Sequence, residues 1–433
     1  MSTNNLNGRW PRLTRRGFLS GLSVTAGGAA LAACGTGAGG ASSSSSEGNA
    51  GGAGVTELGA QTVTFDGLHQ AGIATPEQSN LNLVAFNLRD GADKGAVRRL
   101  MRVWTDDARR LTQGGTPLGS LEPELADTPA NLTITCGFGP RLFELIGAPE
   151  QRPEWLAPLP EFSRDRLDER WGQSDLVLQI CADDPLTVAH ATRHMIRAGV
   201  DYAATDWIQQ GFLDARGVQT KGETPRNLFG QKDGTENLSS GAELEDHVWI
   251  TEGPEWLRGG SAMVVRRIFM NVDTWEILDR ASREVSTGRD LAEGAPLSGS
   301  EEFEEPDFEA VDHTGLPMID PASHIARARA PEGHPEQVIR RRPYNYDLPP
   351  DPQVSLEMES EGVPVLSNSG QIFICFQRDP TRQFVPIQAR LDEADRLNQW
   401  ITHIGSAVYA LPPGVSAEGG SGDSYWGAAL LAE

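Results

Sequence analysis

Cysteine is scarce in this chain. Four occur among 433 residues, Cys34, Cys136, Cys181 and Cys375, and no two stand in a Cys-x-x-Cys arrangement, so neither a disulfide framework nor a zinc site is indicated. Basic charge is also short. Against 60 Asp and Glu there are 37 Lys and Arg, a net charge of −23, which leaves no face suited to nucleic acid or to an anionic membrane surface. No apolar run of 18 residues follows the first few dozen positions, and this excludes a membrane-spanning helix there. Acidic residues are missing before Glu47. What remains is long enough for two packed domains with a sizeable core.

The acid-free opening reads as an address rather than a fold element. Arg9, Arg12, Arg15 and Arg16 precede a mildly apolar stretch, residues 17–33, the order of a signal peptide. Thr14-Arg15-Arg16-Gly17-Phe18-Leu19 is similar to a twin-arginine export signal, which carries folded proteins across the membrane. Leu31-Ala32-Ala33-Cys34 resembles a lipobox, whose cysteine takes two acyl chains, enough for a stable anchor. Residues 35–55 are almost all Gly, Ala and Ser, a flexible tether. The expected location is the outer face of the cytoplasmic membrane, anchored through Cys34. The alternative is cleavage at the small residues and a secreted or periplasmic protein. A chain folded before export keeps free thiols and can acquire a cofactor before it leaves.

Two α+β domains are expected beyond the tether, 56–220 and 221–433. In the first, an alternating strand at 81–88, strand-like segments at 131–137 and 206–212 and a buried strand at 175–181 are interleaved with helical spacing at 94–111 and 185–198, the second helix opening on Pro185. That order suits a ferredoxin-like sheet. In the second, strands are expected at 261–271 and 371–377, helices at 273–280 and 391–410, and an exposed acidic loop at 299–313. Gly137-Phe-Gly139-Pro-Arg-Leu142 lacks the last glycine of a dinucleotide fingerprint. His190 and His194 share a helix face without a third ligand, and His69 reads as a packing residue.

Thr224-Pro-Arg-Asn-Leu-Phe-Gly-Gln-Lys-Asp-Gly-Thr-Glu-Asn237 holds Asp233 between Gly230 and Gly234. Neither glycine has a Cβ, so the backbone can turn tightly and approach a flat ligand. Downstream come Asp320-Pro-Ala-Ser-His324 and Val338-Ile-Arg-Arg-Arg-Pro-Tyr-Asn-Tyr346. Together, in this order, the three segments resemble the dye-decolorizing peroxidases, haem enzymes whose iron-uptake members are called deferrochelatases. The resemblance runs from about His69 to Gly414. It implies two ferredoxin-like domains of the dimeric α+β barrel type, antiparallel sheets with helices, and haem b in the C-terminal half.

By the same resemblance His324 is the axial ligand of the haem iron, Asp233 the distal acid/base and Arg341 the distal arginine. Arg340 and Arg342 stand as alternatives to Arg341. Gly234, Thr235, Glu236, Arg329 and Arg341 join His324 in holding the cofactor. Arg329-Ala-Pro331 and Pro343 depart from the family pattern. Hydrogen peroxide must lose a proton from one oxygen and gain one on the other, and a single positioned carboxylate does both, while an arginine stabilises the charge that develops between. The implied partners are hydrogen peroxide, an organic electron donor such as a dye or phenol, iron-uptake membrane components and a homo-oligomeric partner. Two rival functions stand beside peroxidase: a haem-handling protein that releases iron from haem, and a cofactor-free binding lipoprotein.

Overall fold

Apolar strands, most of them buried along nearly their whole length, build one antiparallel sheet in two halves. The computed structural model describes residues 58–218, 222–350, 367–416 and 424–432. The leader, Cys34, the tether up to residue 55 and the expected boundary at 220/221 lie outside them. The first half contains β1 (Asn80–Leu88), β2 (Thr133–Phe138), β3 (Leu176–Ala182) and β4 (Ala203–Phe212), in spatial order β2-β3-β1-β4. The second contains β5 (Ser261–Met270), β6 (Arg340–Arg341), β7 (Tyr344–Leu348), β8 (Asn368–Gln377) and β9 (Ile401–Leu411). There β9 and β8 flank β5, and β6 and β7 pair in turn along β8. Each half thus places its first strand between its last two, the ferredoxin-like order.

The halves meet at single paired positions, Phe138 with Ala410 and Phe212 with Asn345, so the strands close into a barrel. Closure removes the free sheet edges. Alternate side chains point inward: Leu81, Leu83, Val265, Ile374, Tyr344 and Tyr409 belong to one buried interior cluster. The other faces are covered by helices. Over the first half lie α1 (Lys94–Thr112) and α2 (Pro185–Gly199). Asp93 caps α1 by accepting the Ala96 N–H, and Asp184 caps α2 by accepting that of Thr187. Trp104 of α1 is fully buried against Phe86, with its indole N–H donated to the Met195 carbonyl at 2.9 Å.

The second half carries α3 (Arg280–Thr287), α4 (His324–Ala328) and α5 (Phe384–Ala394), of which α4 packs against both others. Two expectations fail here. The stretch 273–280 is not one helix: Val272–Trp275 ends, and Asp279 caps the new helix α3 by accepting the Ser282 N–H. Nor is 391–410 the closing helix. Helix α5 stops at Ala394, and Ile401–Leu411 is the strand that pairs along β5. Its β-branched and aromatic residues fit a pleated, half-buried surface, and pairing with β5 along its whole length decides the matter. Among the described residues no helix is long and apolar enough to cross a membrane.

Candidate active site

The segment around Asp233 is a tight turn built on its glycines. Gly230 has φ 79° and Gly234 φ 135°, conformations that residues with a Cβ rarely adopt. An isolated bridge pairs Arg226 with Lys232, and the Asp233 N–H donates to the Pro225 carbonyl at 2.8 Å. The carboxylate then faces the barrel wall. Its Oδ1 accepts from Arg341 Nη1 at 2.9 Å, and its Oδ2 accepts from Gln371 Nε2 at 2.8 Å and, more loosely, from Asn227 Nδ2 at 3.4 Å.

Of the three adjacent arginines, only Arg341 reaches Asp233. Strand alternation turns its neighbours the other way: Arg340 pairs with Glu77 at 2.7 Å, while the fully buried Arg342 donates to the Thr75 carbonyl at 2.5 Å and to the Gln78 side chain. Asn237 fixes Arg341 from both sides of its peptide, accepting its N–H and donating to its carbonyl, each at 2.8 Å. The guanidinium's other arm donates to the Glu236 carbonyl at 3.0 Å.

His324 opens α4. Its Nδ1 donates to Oδ2 of Asp395 at 2.6 Å, and the other oxygen of that carboxylate accepts the Leu397 N–H at 2.9 Å. Asp395 is 4% exposed and His324 36%. Desolvation pulls the imidazole pKa down, but the charge and the hydrogen bond of Asp395 outweigh it, so the net shift is upward. Arg341 and Asp233 are lesser electrostatic influences on this ring. No described residue takes His324 Nε2.

That donor set fits a haem. The described residues contain no group of three His, Cys, Asp or Glu able to hold a metal ion, so a lone imidazole serves as a ligand only where a macrocycle fills the other positions. A neutral imidazole backed by a carboxylate is a suitable axial donor. An apolar cluster of Phe229, Ile268, Met270, Trp275 and Leu397 draws on both the Asp233 turn and the chain just after Asp395.

The remaining sequence-derived candidates are placed as follows. The Thr235 hydroxyl donates to Glu302 Oε1 at 3.1 Å, and the Glu236 carboxylate lies 3.9 Å from Arg289. Arg329, at the end of α4, stacks its guanidinium on Phe308 at 3.9 Å and makes no hydrogen bond to Asp233, Arg341 or His324. His194 is buried against Asp107 at 2.9 Å, and His69 stacks on Trp249. A cavity of about 460 Å³ between α1 and α2, lined in part by Arg102, His194 and Arg197, shares no residue with the site. Cys136, Cys181 and Cys375 are free and buried. Sequence reasoning missed Asp395, Gln371 and Glu302. Only Gln371 had left a signal, since period two along its strand puts it on the face of Phe373 and Cys375.

Comparison with known proteins points the same way. The family model described as Dyp-type peroxidase, N-terminal, matches residues 70–213, and that described as Dyp-type peroxidase, C-terminal, matches 224–416. A dye-decolorizing peroxidase from Thermobifida fusca is 34% identical over 428 residues, covering 92% of this chain and 94% of the relative. A deferrochelatase from Escherichia coli is 34% identical over 384 residues, with 85% and 86% covered. Among solved structures, a DyP-type peroxidase from Cellulomonas bogoriensis superposes with a TM-score of 0.80 at 46% identity, covering 87% of this chain and 99% of that one. An oxyferrous complex of DtpA from Streptomyces lividans gives a TM-score of 0.80 at 39% identity, with 87% and 99% covered.

Proposed function

The chain belongs to the Dyp-type peroxidase family, and on that premise we propose that it reduces hydrogen peroxide at a haem b held by His324, with Asp233 carrying the protons. The observation that carries this reading is the Asp233–Arg341 pair at 2.9 Å together with an imidazole backed by the buried Asp395 at 2.6 Å. Bound haem supplies the electrons that cleave the O–O bond, and an organic donor restores them. The protein's own groups do the rest. Asp233 takes a proton from the incoming peroxide and returns it to the oxygen that departs as water, two roles for one carboxylate. Gln371 and Asn227 hold its Oδ2, which leaves the Arg341 side facing the reaction. Arg341 keeps a fixed positive charge beside the oxygen on which negative charge develops. Asp395 holds the His324 ring through Nδ1, which would leave the Nε2 lone pair free to ligate the haem iron.

Haem b, the non-covalent form, is favoured because no Cys-x-x-Cys pair is present for thioether attachment. We propose Gly234, Thr235, Glu236 and Arg329 as further contacts of the cofactor. The Thr14–Leu19 and Cys34 motifs support export by the twin-arginine route and lipid anchoring.

The test is Asp233→Asn, which should lower peroxide turnover by about 10²–10⁴-fold while haem stays bound. A second reading, release of iron from haem with the porphyrin left intact, draws on the relatives named deferrochelatase. It predicts iron-free porphyrin as a product and no dependence on Asp233.

A further inference from the structure

We infer that Glu302 is a positioning residue for Asp233, reaching in from the acidic loop to hold the turn that carries it. This deepens the reading of Asp233 as the proton carrier and rests on it. Most of the loop's carboxylates face solvent, but the Glu302 side chain is only 9% exposed, as is that of its partner Lys232. Lys232 Nζ lies 2.5 Å from Glu302 Oε2, and the Thr235 hydroxyl donates to Oε1 at 3.1 Å. One carboxylate therefore grips the residue just before Asp233 and the second residue after it.

The backbone of the same region is tied in parallel. Arg289 Nη1 donates to the carbonyls of Glu302 and Gly294, each at 2.8 Å. Arg226 donates to those of Gly230, Leu291 and Ala292, each at 2.8 Å. The turn is thus fastened on its outer side to 289–302 and on its inner side, through Asp233, to Arg341 and Gln371. A desolvated ion pair adds little net stability, so its place beside the reacting carboxylate points to geometry. A displacement of about 1 Å at a reacting group is enough to cost roughly 10²-fold in rate.

The experiment uses the full haem-loaded protein and measures the bimolecular rate constant with hydrogen peroxide, its pH profile, haem content and the KM for an organic donor. Glu302→Ala should lower the peroxide rate by roughly 10–100-fold, with haem content and donor KM unchanged and Glu302→Gln in between. Thr235→Val, which removes one bond and keeps the ion pair, should move the rate the same way by less. In an Asp233→Asn background, Glu302→Ala should cost less than about 2-fold, because residues that act through one another are not additive. Two results would overturn the inference: a wild-type peroxide rate in both Glu302→Ala and Thr235→Val, or the same loss with and without Asp233. If Asp233→Asn alone reacts at the wild-type rate, the parent reading fails instead.

Discussion

Asp395→Asn keeps the shape of the group behind His324 and removes its charge. In the native site the carboxylate is 4% exposed, accepts the imidazole Nδ1–H at 2.6 Å and accepts the Leu397 N–H through its other oxygen. Asparagine's carbonyl can keep the imidazole contact as a neutral bond. What is lost is the push of negative charge through the ring onto the bound metal, together with the acceptor for the Leu397 N–H. Loss of such an outer partner typically costs about 10–100-fold in metal affinity. The buried negative charge favours the more positive ferric state, so the loss falls mainly on that state. At about 59 mV per tenfold for a one-electron couple, the ferric/ferrous potential should rise by roughly 60–120 mV. Spectroelectrochemical titration of the haem-loaded variant against wild type measures it directly. An unchanged or lowered potential with haem still bound would refute the proposed coupling of Asp395 through His324 to the iron.

Four further outcomes follow from the structure. Arg341→Leu should lower the peroxide rate by about 10²–10³-fold, whereas Arg342→Lys should be felt chiefly in the melting temperature, since Arg342 bonds the 75–78 segment rather than Asp233. Trp104→Ala should destabilise by about 3–5 kcal/mol in denaturant titration, because the side chain is fully buried and its N–H is satisfied. Burial and then the Arg266 charge push the His403 pKa down from 6.5 to about 3. The unfolded chain therefore binds the extra proton first, and stability present above pH 6.5 is lost as pH falls towards 3. His403→Gln should flatten that acid limb.

Legibility followed distance along the chain. The Asp233 turn could be read because its two glycines answer a local backbone demand within five residues. Arg341 was separable from Arg340 and Arg342 only once β6 had a partner strand to set its alternation. Asp395 was out of reach: its contact with His324 spans 71 positions, and nothing local marks a carboxylate just past a helix end as a histidine partner. Glu302 was hidden in the opposite sense, one acid among many in a stretch whose composition says solvent. β9 was misread because the apolar spacing of α5 runs on towards it with no glycine or proline between Ala394 and Ile401. There pairing with β5 overrode the local pattern.

The most direct test of the central claim is the absorption spectrum of the purified protein before and after one equivalent of hydrogen peroxide. The wild type should show a Soret band that peroxide changes promptly, and Asp233→Asn one that it changes only slowly. A protein that shows no Soret band even after haem is added, or one whose band ignores peroxide, would contradict it.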